Sequence, residues 1–182
     1  MVGTERLNLI AATAEHFEAA LESHEKLAIL LDVSLADDWL VFPEGLAGGY
    51  AILKADPANL DWGTYMFIHR DDNKLCGIGG YRGAVDKNGM VEIGYALSPE
   101  YRGQGLATEA SIGLIAYAFS DPTVRMVEAH TLAEFNDSTR VLQKCGMRKI
   151  GELHDPEDGD VWHWRLLRME YSKDPLIGKQ FL

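Results

Sequence analysis

Glu92-Ile93-Gly94-Tyr95-Ala96-Leu97-Ser98-Pro99-Glu100-Tyr101-Arg102-Gly103-Gln104-Gly105-Leu106-Ala107-Thr108-Glu109-Ala110 is the stretch on which the reading of this chain turns. It passes from a β-rich run into a glycine-containing turn and then into apolar residues at helical spacing. Ser98-Pro99 ends the run, because proline disfavours helix at the residue before it and offers no N–H of its own. Leu106, Ala110, Leu114, Tyr117 and Ala118 then mark one face of a long helix. Two glycines between strand and helix let the backbone approach a phosphate closely, and the helix start adds free amides and a partial positive charge. The segment reads as an anion cradle. A dinucleotide fingerprint needs a third glycine where Thr108 stands, and a Walker loop needs Gly-Lys-Ser/Thr after the turn, so neither common phosphate motif is present.

On the N-terminal side a short strand is expected around Arg6 to Ile10. Thr13 can cap a helix whose apolar positions Phe17, Ala20, Leu21, Ala28 and Leu31 fall mostly three, four or seven apart. Glu44 to Lys54 reads as a shorter helix closed by Asp56-Pro57. Thr64 to His69 and Leu75 to Tyr81 are β-rich and separated by the turn-forming Asp71-Asp72-Asn73. With Met90 to Leu97, beyond the loop Asp86 to Gly89, they make an antiparallel meander. Gly77-Ile78-Gly79-Gly80 lies inside a strand with no helix after it, which marks a bulge or a close backbone approach.

On the C-terminal side come a strand at Met126 to Leu132, a helix at Ser138 to Lys144 stopped by Gly146, and strands near Met147 to Glu152 and Val161 to Arg168. The acidic run Asp155 to Asp160 reads as a solvated hairpin loop. The order β-α-α-β-β-β-α-β-α-β-β sets one β-α-β unit inside a meander. The expected fold is α/β on the α+β border: a mixed, mostly antiparallel twisted sheet of about seven strands with helices on both faces. A single domain spanning 1–182 is expected, with its core at about 7–167 and a tail at 171–182.

The 182 residues, 47% hydrophobic and 25% charged, suit one domain with a real core. Seventeen Lys plus Arg against 28 Asp plus Glu leave a formal charge of −11, which repels nucleic acid and anionic lipid. Cys76 and Cys145 stand apart with no metal or redox spacing, so no metal site is expected. The first residues lack the order of a signal peptide, and no window approaches about 18 uninterrupted apolar residues. A cytoplasmic protein with no membrane partner is expected.

Arg102-Gly103-Gln104-Gly105-Leu106-Ala107 matches the pattern R/Q-x-x-G-x-G/A, and Asn136-Asp137-Ser138-Thr139-Arg140-Val141-Leu142-Gln143-Lys144-Cys145-Gly146-Met147 matches N-x-S-x-x-V-L-x-K-x-G-[FM]. On these two blocks and on element order, the chain resembles the GNAT superfamily of N-acetyltransferases over roughly Leu7 to Leu167. Ile93-Gly94-Tyr95, Gly103 to Ala110 and Ser138 to Leu142 are similar to the branch that acetylates ribosomal-protein N-termini. The resemblance implies acetyl-coenzyme A as cosubstrate, its pyrophosphate held by Arg102, Gly103, Gln104, Gly105, Leu106 and Ala107. It implies that Leu97 pairs its backbone with the pantetheine amides, that Asn136 and Ser138 lie near the thioester, and that Arg140 or Lys144 stands near the adenine.

Acetyl transfer needs a neutral amine, whereas an α-amino group titrates near ~8 and a lysine near ~10.4, so a base is required. Glu92 is the leading candidate, placed by alternation on one strand face with Gly94 and Ala96, opposite Ile93, Tyr95 and Leu97. His130 and Glu128 share a face of the next strand and are the other candidates. The departing thiolate needs a donor, for which the resemblance offers Ser138; helix capping is that residue's alternative role, and Tyr95, Tyr101 and Tyr117 are alternative hydroxyls. Cys145, before a helix-ending glycine and far in sequence from any histidine, is disfavoured as an acetyl carrier. In Trp162-His163-Trp164 two indoles on one face cover a core or line an acceptor groove. The expected activity is acetyl transfer to a primary amine, a protein N-terminus or a small molecule, by direct attack in a ternary complex. The acidic chain favours a cationic acceptor, and a homodimer is compatible with the sequence. The alternative is a silent acyl-CoA-binding module on the same fold.

Overall fold

The computed structural model describes residues 1–156 and 159–171, so the tip of the acidic loop and all of the expected tail after Tyr171 lie outside the described residues. The chain runs through β1 (Val2–Gly3), β2 (Leu7–Ala11), α1 (Ala14–Glu22), α2 (His24–Leu31), β3 (Ser34–Leu35), α3 (Pro43–Ala55), β4 (Thr64–His69) and β5 (Lys74–Tyr81). It continues through β6 (Met90–Leu97), α4 (Leu106–Ser120), β7 (Met126–Leu132), α5 (Asp137–Lys144), β8 (Arg148–Asp155), β9 (Gly159–Leu167) and α6 (Arg168–Tyr171). The sheet order is β1-β2-β4-β5-β6-β7-β9-β8, with β3 added in parallel to β5 at Ser34↔Lys74. The described residues thus carry nine strands where about seven were expected; β1 and β3, two residues each, are too short to show a period in sequence.

Thr13 caps the first helix as expected, accepting from the His16 N–H, but the single helix read through to Leu31 is two. Ser23 is extended (φ −163°, ψ 149°), ends α1, and accepts from Lys26 N to cap α2. A serine hydroxyl offers the backbone that alternative to continued helix, and the break rotates the second half. Leu21 is consequently 57% exposed, and Leu27, not Ala28, carries the buried contact of α2.

The β4–β5–β6 meander is antiparallel and tightly spaced. A methyl group at Gly77 would overlap the Ala96 carbonyl oxygen and the Leu97 side chain, so this glycine serves the close approach of β5 to β6. The β-α-β unit joins β6 to β7 through α4, whose Leu106, Ala110, Leu114, Ile115 and Ala118 are fully buried, as are Ile93 and Val91 on β6 and Val127 on β7 to within 2%. Tyr117, expected on the buried face, is half-buried.

The β6–β7 pairing is parallel and brief: Met90↔Met126, Val91↔Val127 and Glu92↔Glu128. Among the described residues, β6 past Glu92 pairs only with β5, up to Leu97, and β7 past Glu128 pairs only with β9, up to Leu132. The two strands part into a V. Arg82 N bonds to Glu92 O and Ser98 N to Cys76 O, so alternation turns the N–H and C=O groups of Ile93, Tyr95 and Leu97 into the opening.

Candidate active site

Three features converge on the V: the glycine turn before α4, the parted strands, and a pair of ionisable residues at the vertex. Gly103 and Gly105 adopt φ +72° and +83°, conformations that cost other L-residues energy. A Cβ at Gly103 would meet nothing within 4 Å, and one at Gly105 only Arg6 Nη2 at 3.6 Å, so both border open space. Gly105 is the N-cap of α4 and gives no side-chain cap, leaving the first-turn amides of Leu106 and Ala107 available to an anion. Gln104 is braced, its Nε2 donating to Glu100 O at 2.8 Å. Arg102 folds back, Nε donating to the Leu97 carbonyl at 3.0 Å. That contact occupies the carbonyl of Leu97, whose N–H faces the opening.

At the vertex, His130 Nδ1 lies 3.1 Å from Glu92 Oε1, and Arg82 Nε approaches the same oxygen at 3.1 Å. An ionised carboxylate accepts only, so the proton of this contact is carried by Nδ1, and Nε2 is the ring's other nitrogen. That Nε2 is buried and has no hydrogen-bond partner among the described residues. The His130 ring stacks on His163, with centroids 4.7 Å apart and planes at 20°. His163 Nε2 in turn lies 2.7 Å from Glu128 Oε2, while Arg165 holds Glu128 Oε1 at 2.6 Å. Glu128 is 6% exposed, and its two partners satisfy a charge that would otherwise be costly to bury. The site therefore holds two matched units, each a carboxylate shared between an arginine and a histidine, side by side on β6, β7, β9 and the loop after β5 that carries Arg82.

The structure brings Glu92 and His130, read from sequence as alternative bases on separate strands, into contact. Asn136 is the cap of α5: its Oδ1 accepts from Thr139 N, and Thr139 Oγ1 accepts from Asn136 N. Capping thus falls to Asn136, and Ser138 stands exposed in the first helical turn. The Tyr95 hydroxyl donates to the Ser138 carbonyl at 3.2 Å, joining β6 to α5 across the opening. Burial pushes the Tyr95 phenol above its usual value, so it stays protonated and able to donate. Arg140 pairs with Asp137. Both Trp162 and Trp164 belong to the core, and His163 between them faces the other side.

Arg82, His163 and Arg165 were missed in sequence. Only the register Glu128↔Arg165 and His130↔His163 places the latter two beside the site. Burial pushes the Cys145 thiol up to about 12, which removes the thiolate an acetyl carrier would need. A recess of about 240 Å³ along the C-terminal half of α4, lined by Val2, Gly3, Gly113 and Tyr117 among others, holds no carboxylate, histidine or cysteine. Among the described residues no group of histidine, cysteine and carboxylate side chains is arranged to hold a metal, and no helix is long and apolar enough to cross a membrane.

Residues 6–148 match the acetyltransferase (GNAT) domain family. The chain is 31% identical over 113 residues to an uncharacterized N-acetyltransferase, p20, of Bacillus licheniformis, covering 59% of this chain and 64% of that protein. It is 26% identical over 166 residues to an uncharacterized N-acetyltransferase, YjdG, of Bacillus subtilis, covering 90% of this chain and 96% of that one. In fold it is similar to RimL, a ribosomal alpha-N-protein acetyltransferase solved with coenzyme A, with a TM-score of 0.66 at 18% identity over 92% of this chain and 97% of RimL.

Proposed function

The chain belongs to the GNAT acetyltransferase family, and from that premise we propose that it transfers the acetyl group of acetyl-coenzyme A to a primary amine by direct attack in a ternary complex. The observation that carries this reading is the Glu92–His130 pair at the vertex of the β6–β7 opening. A ligand whose phosphates rest on the uncapped start of α4 and whose chain runs along the open edge of β6 delivers its far end to that pair. The residues present fit such a ligand: glycines beside open space, free helix amides, and backbone groups on β6 with no strand partner on that side.

Bound acetyl-coenzyme A would supply an acyl carbon activated by its thioester. The Gly103–Ala107 turn binds the phosphates, with Arg102 closing the end of β6. Glu92, oriented by Arg82 and by His130 Nδ1, is the base that accepts the proton of the incoming ammonium group, directly or through a water. The freed nitrogen lone pair forms the C–N bond as the C–S bond breaks, and the Ser138 or Tyr95 hydroxyl gives its proton to the departing sulfur while regaining one from the nitrogen, which until then carries one proton more than the amide keeps. Holding amine and thioester together supplies much of the rate.

A chain of formal charge −11 favours a cationic acceptor, and the likeness to RimL brings a protein N-terminus into the set to be tried, beside polyamines and other small amines. The test is a panel of such amines incubated with acetyl-coenzyme A while free thiol is recorded. Thiol release that requires one acceptor class supports the reading. Coenzyme A binding without release across the panel would instead make the chain a silent binding module.

A further inference from the structure

α4 carries a carboxylate in its first turn, Glu109. A negative charge there suits the helix dipole, but it also stands where phosphates resting on the same helix start would be repelled. The chain answers from its other end. Glu109 Oε1 accepts from Thr4 Oγ1 at 2.6 Å and from Arg6 N at 2.6 Å, and Oε2 accepts from Arg6 Nε at 2.8 Å. The same Arg6 reaches the turn itself, donating from Nη1 to the Gln104 carbonyl at 3.0 Å. Its remaining nitrogen, Nη2, is the heavy atom nearest the space above Gly105. The Glu109 side chain is 12% exposed and that of Arg6 38%, so the acidic partner is sheltered from full solvent screening. Nothing in the fold requires this arginine to touch the turn. Its backbone is already tied to Glu109 and, through its carbonyl, to Arg70 N.

We propose that Arg6 is a positioning residue of the phosphate cradle: by taking up the charge of Glu109 and gripping the Gln104 carbonyl, it keeps the start of α4 receptive to the phosphates of coenzyme A. The inference rests on the cradle reading given above. A lysine could neutralise the carboxylate but not span both partners, since only the planar guanidinium fork presents Nε to Glu109 while Nη1 meets a carbonyl. Arg6 thus works on the ligand mainly through Glu109, and a double-mutant cycle isolates that route.

The experiment is calorimetric titration of the full chain with coenzyme A at neutral pH, for wild type, Arg6→Gln, Glu109→Gln and the double variant, with a thermal melt of each to establish folding. Wild type binds. Arg6→Gln, which leaves Glu109 uncompensated, binds at least about tenfold more weakly. Glu109→Gln keeps the acceptor oxygen for Thr4 and frees the arginine, so it binds a few-fold more tightly, and the double variant regains most of what Arg6→Gln lost. Arg6→Gln binding within about twofold of wild type, or a double variant no tighter than Arg6→Gln, overturns the proposal. Should Arg6→Gln fail to fold, Glu109→Gln decides, since unchanged or weaker binding there overturns it equally. Absence of coenzyme A binding by wild type itself would sink the cradle reading, a result distinct from either failure.

Discussion

Glu92, in the last residue pair that joins β6 to β7, meets His130, two residues past that pair on β7, at 3.1 Å. The contact spans the point at which the sheet opens, so whatever enters the opening ends against it.

Replacing Glu92 by Gln keeps the shape of the side chain and its contact with Arg82 but removes its ability to take a proton. Turnover is expected to fall on the order of 10²-fold or more, with coenzyme A affinity little changed. Steady-state rates from pH 6 to 9 on the best acceptor of the panel check this. A variant with wild-type turnover across that range would remove Glu92 as the base and make His130→Ala the next comparison.

Gly105→Glu places a charged side chain over the helix start and holds a non-glycine residue at φ +83°. The backbone cost is about 1–2 kcal/mol, which a folded domain can bear, because the added Cβ meets only Arg6 Nη2. Calorimetry is expected to show a folded protein that no longer binds acetyl-coenzyme A. Undiminished affinity in a folded variant would refute the cradle.

The two cysteines are packing residues, with burial pushing both thiols up to about 12. A Cys76→Ala, Cys145→Ala double variant keeps most of its turnover and loses some stability to the small cavities left behind. Mass spectrometry of the wild type after mixing with acetyl-coenzyme A should find no acetyl group on Cys145; an acetyl-enzyme there would establish a two-step route.

Acid should weaken the fold partly through Glu109. Burial pushes its carboxyl up, but the hydrogen bonds from Thr4 and Arg6 and the arginine's charge outweigh that, holding it below the ordinary value of about 4.5. A carboxyl lowered on folding contributes stability that is complete above the unfolded value and is lost as pH falls through the folded one. Wild type is therefore expected to be more stable than Glu109→Gln at pH 7, with the gap closing as pH falls below about 4.5. Urea midpoints at pH 7 and pH 3 measure it, and a gap that does not narrow would contradict the assignment.

What could be read from the sequence was whatever local chemistry dictates. Thr13 as a cap, Asp71 to Asn73 as a turn, Gly146 as a helix exit and the glycine turn that leads into α4 all depend on residues a few positions apart, and all stand in the structure. Ser23 shows where local reading falters. The apolar spacing runs through it, and only the competition between its hydroxyl and the helix backbone reveals a break. The Glu128, His163 and Arg165 unit depends on the register between β7 and β9, and Arg82 on a loop conformation after β5. Such partners lie up to 37 positions apart along the chain, beyond any periodicity.

The brevity of the β6–β7 ladder has a mechanical side. Among the described residues, three residue pairs are the only strand pairing between the leaf built from β1 to β6 and the leaf built from β7, β9 and β8, so the sheet narrows there to a short seam. A ligand lying along β6 in the opening stands in for the strand that is missing there, and its amides close a rim of backbone groups otherwise left to water. Filling the opening therefore stitches the leaves together. The amides of Ile93, Tyr95 and Leu97 should exchange with solvent quickly in the empty protein and slowly in the filled one, and resistance to proteases should rise and fall with the supply of the acyl carrier.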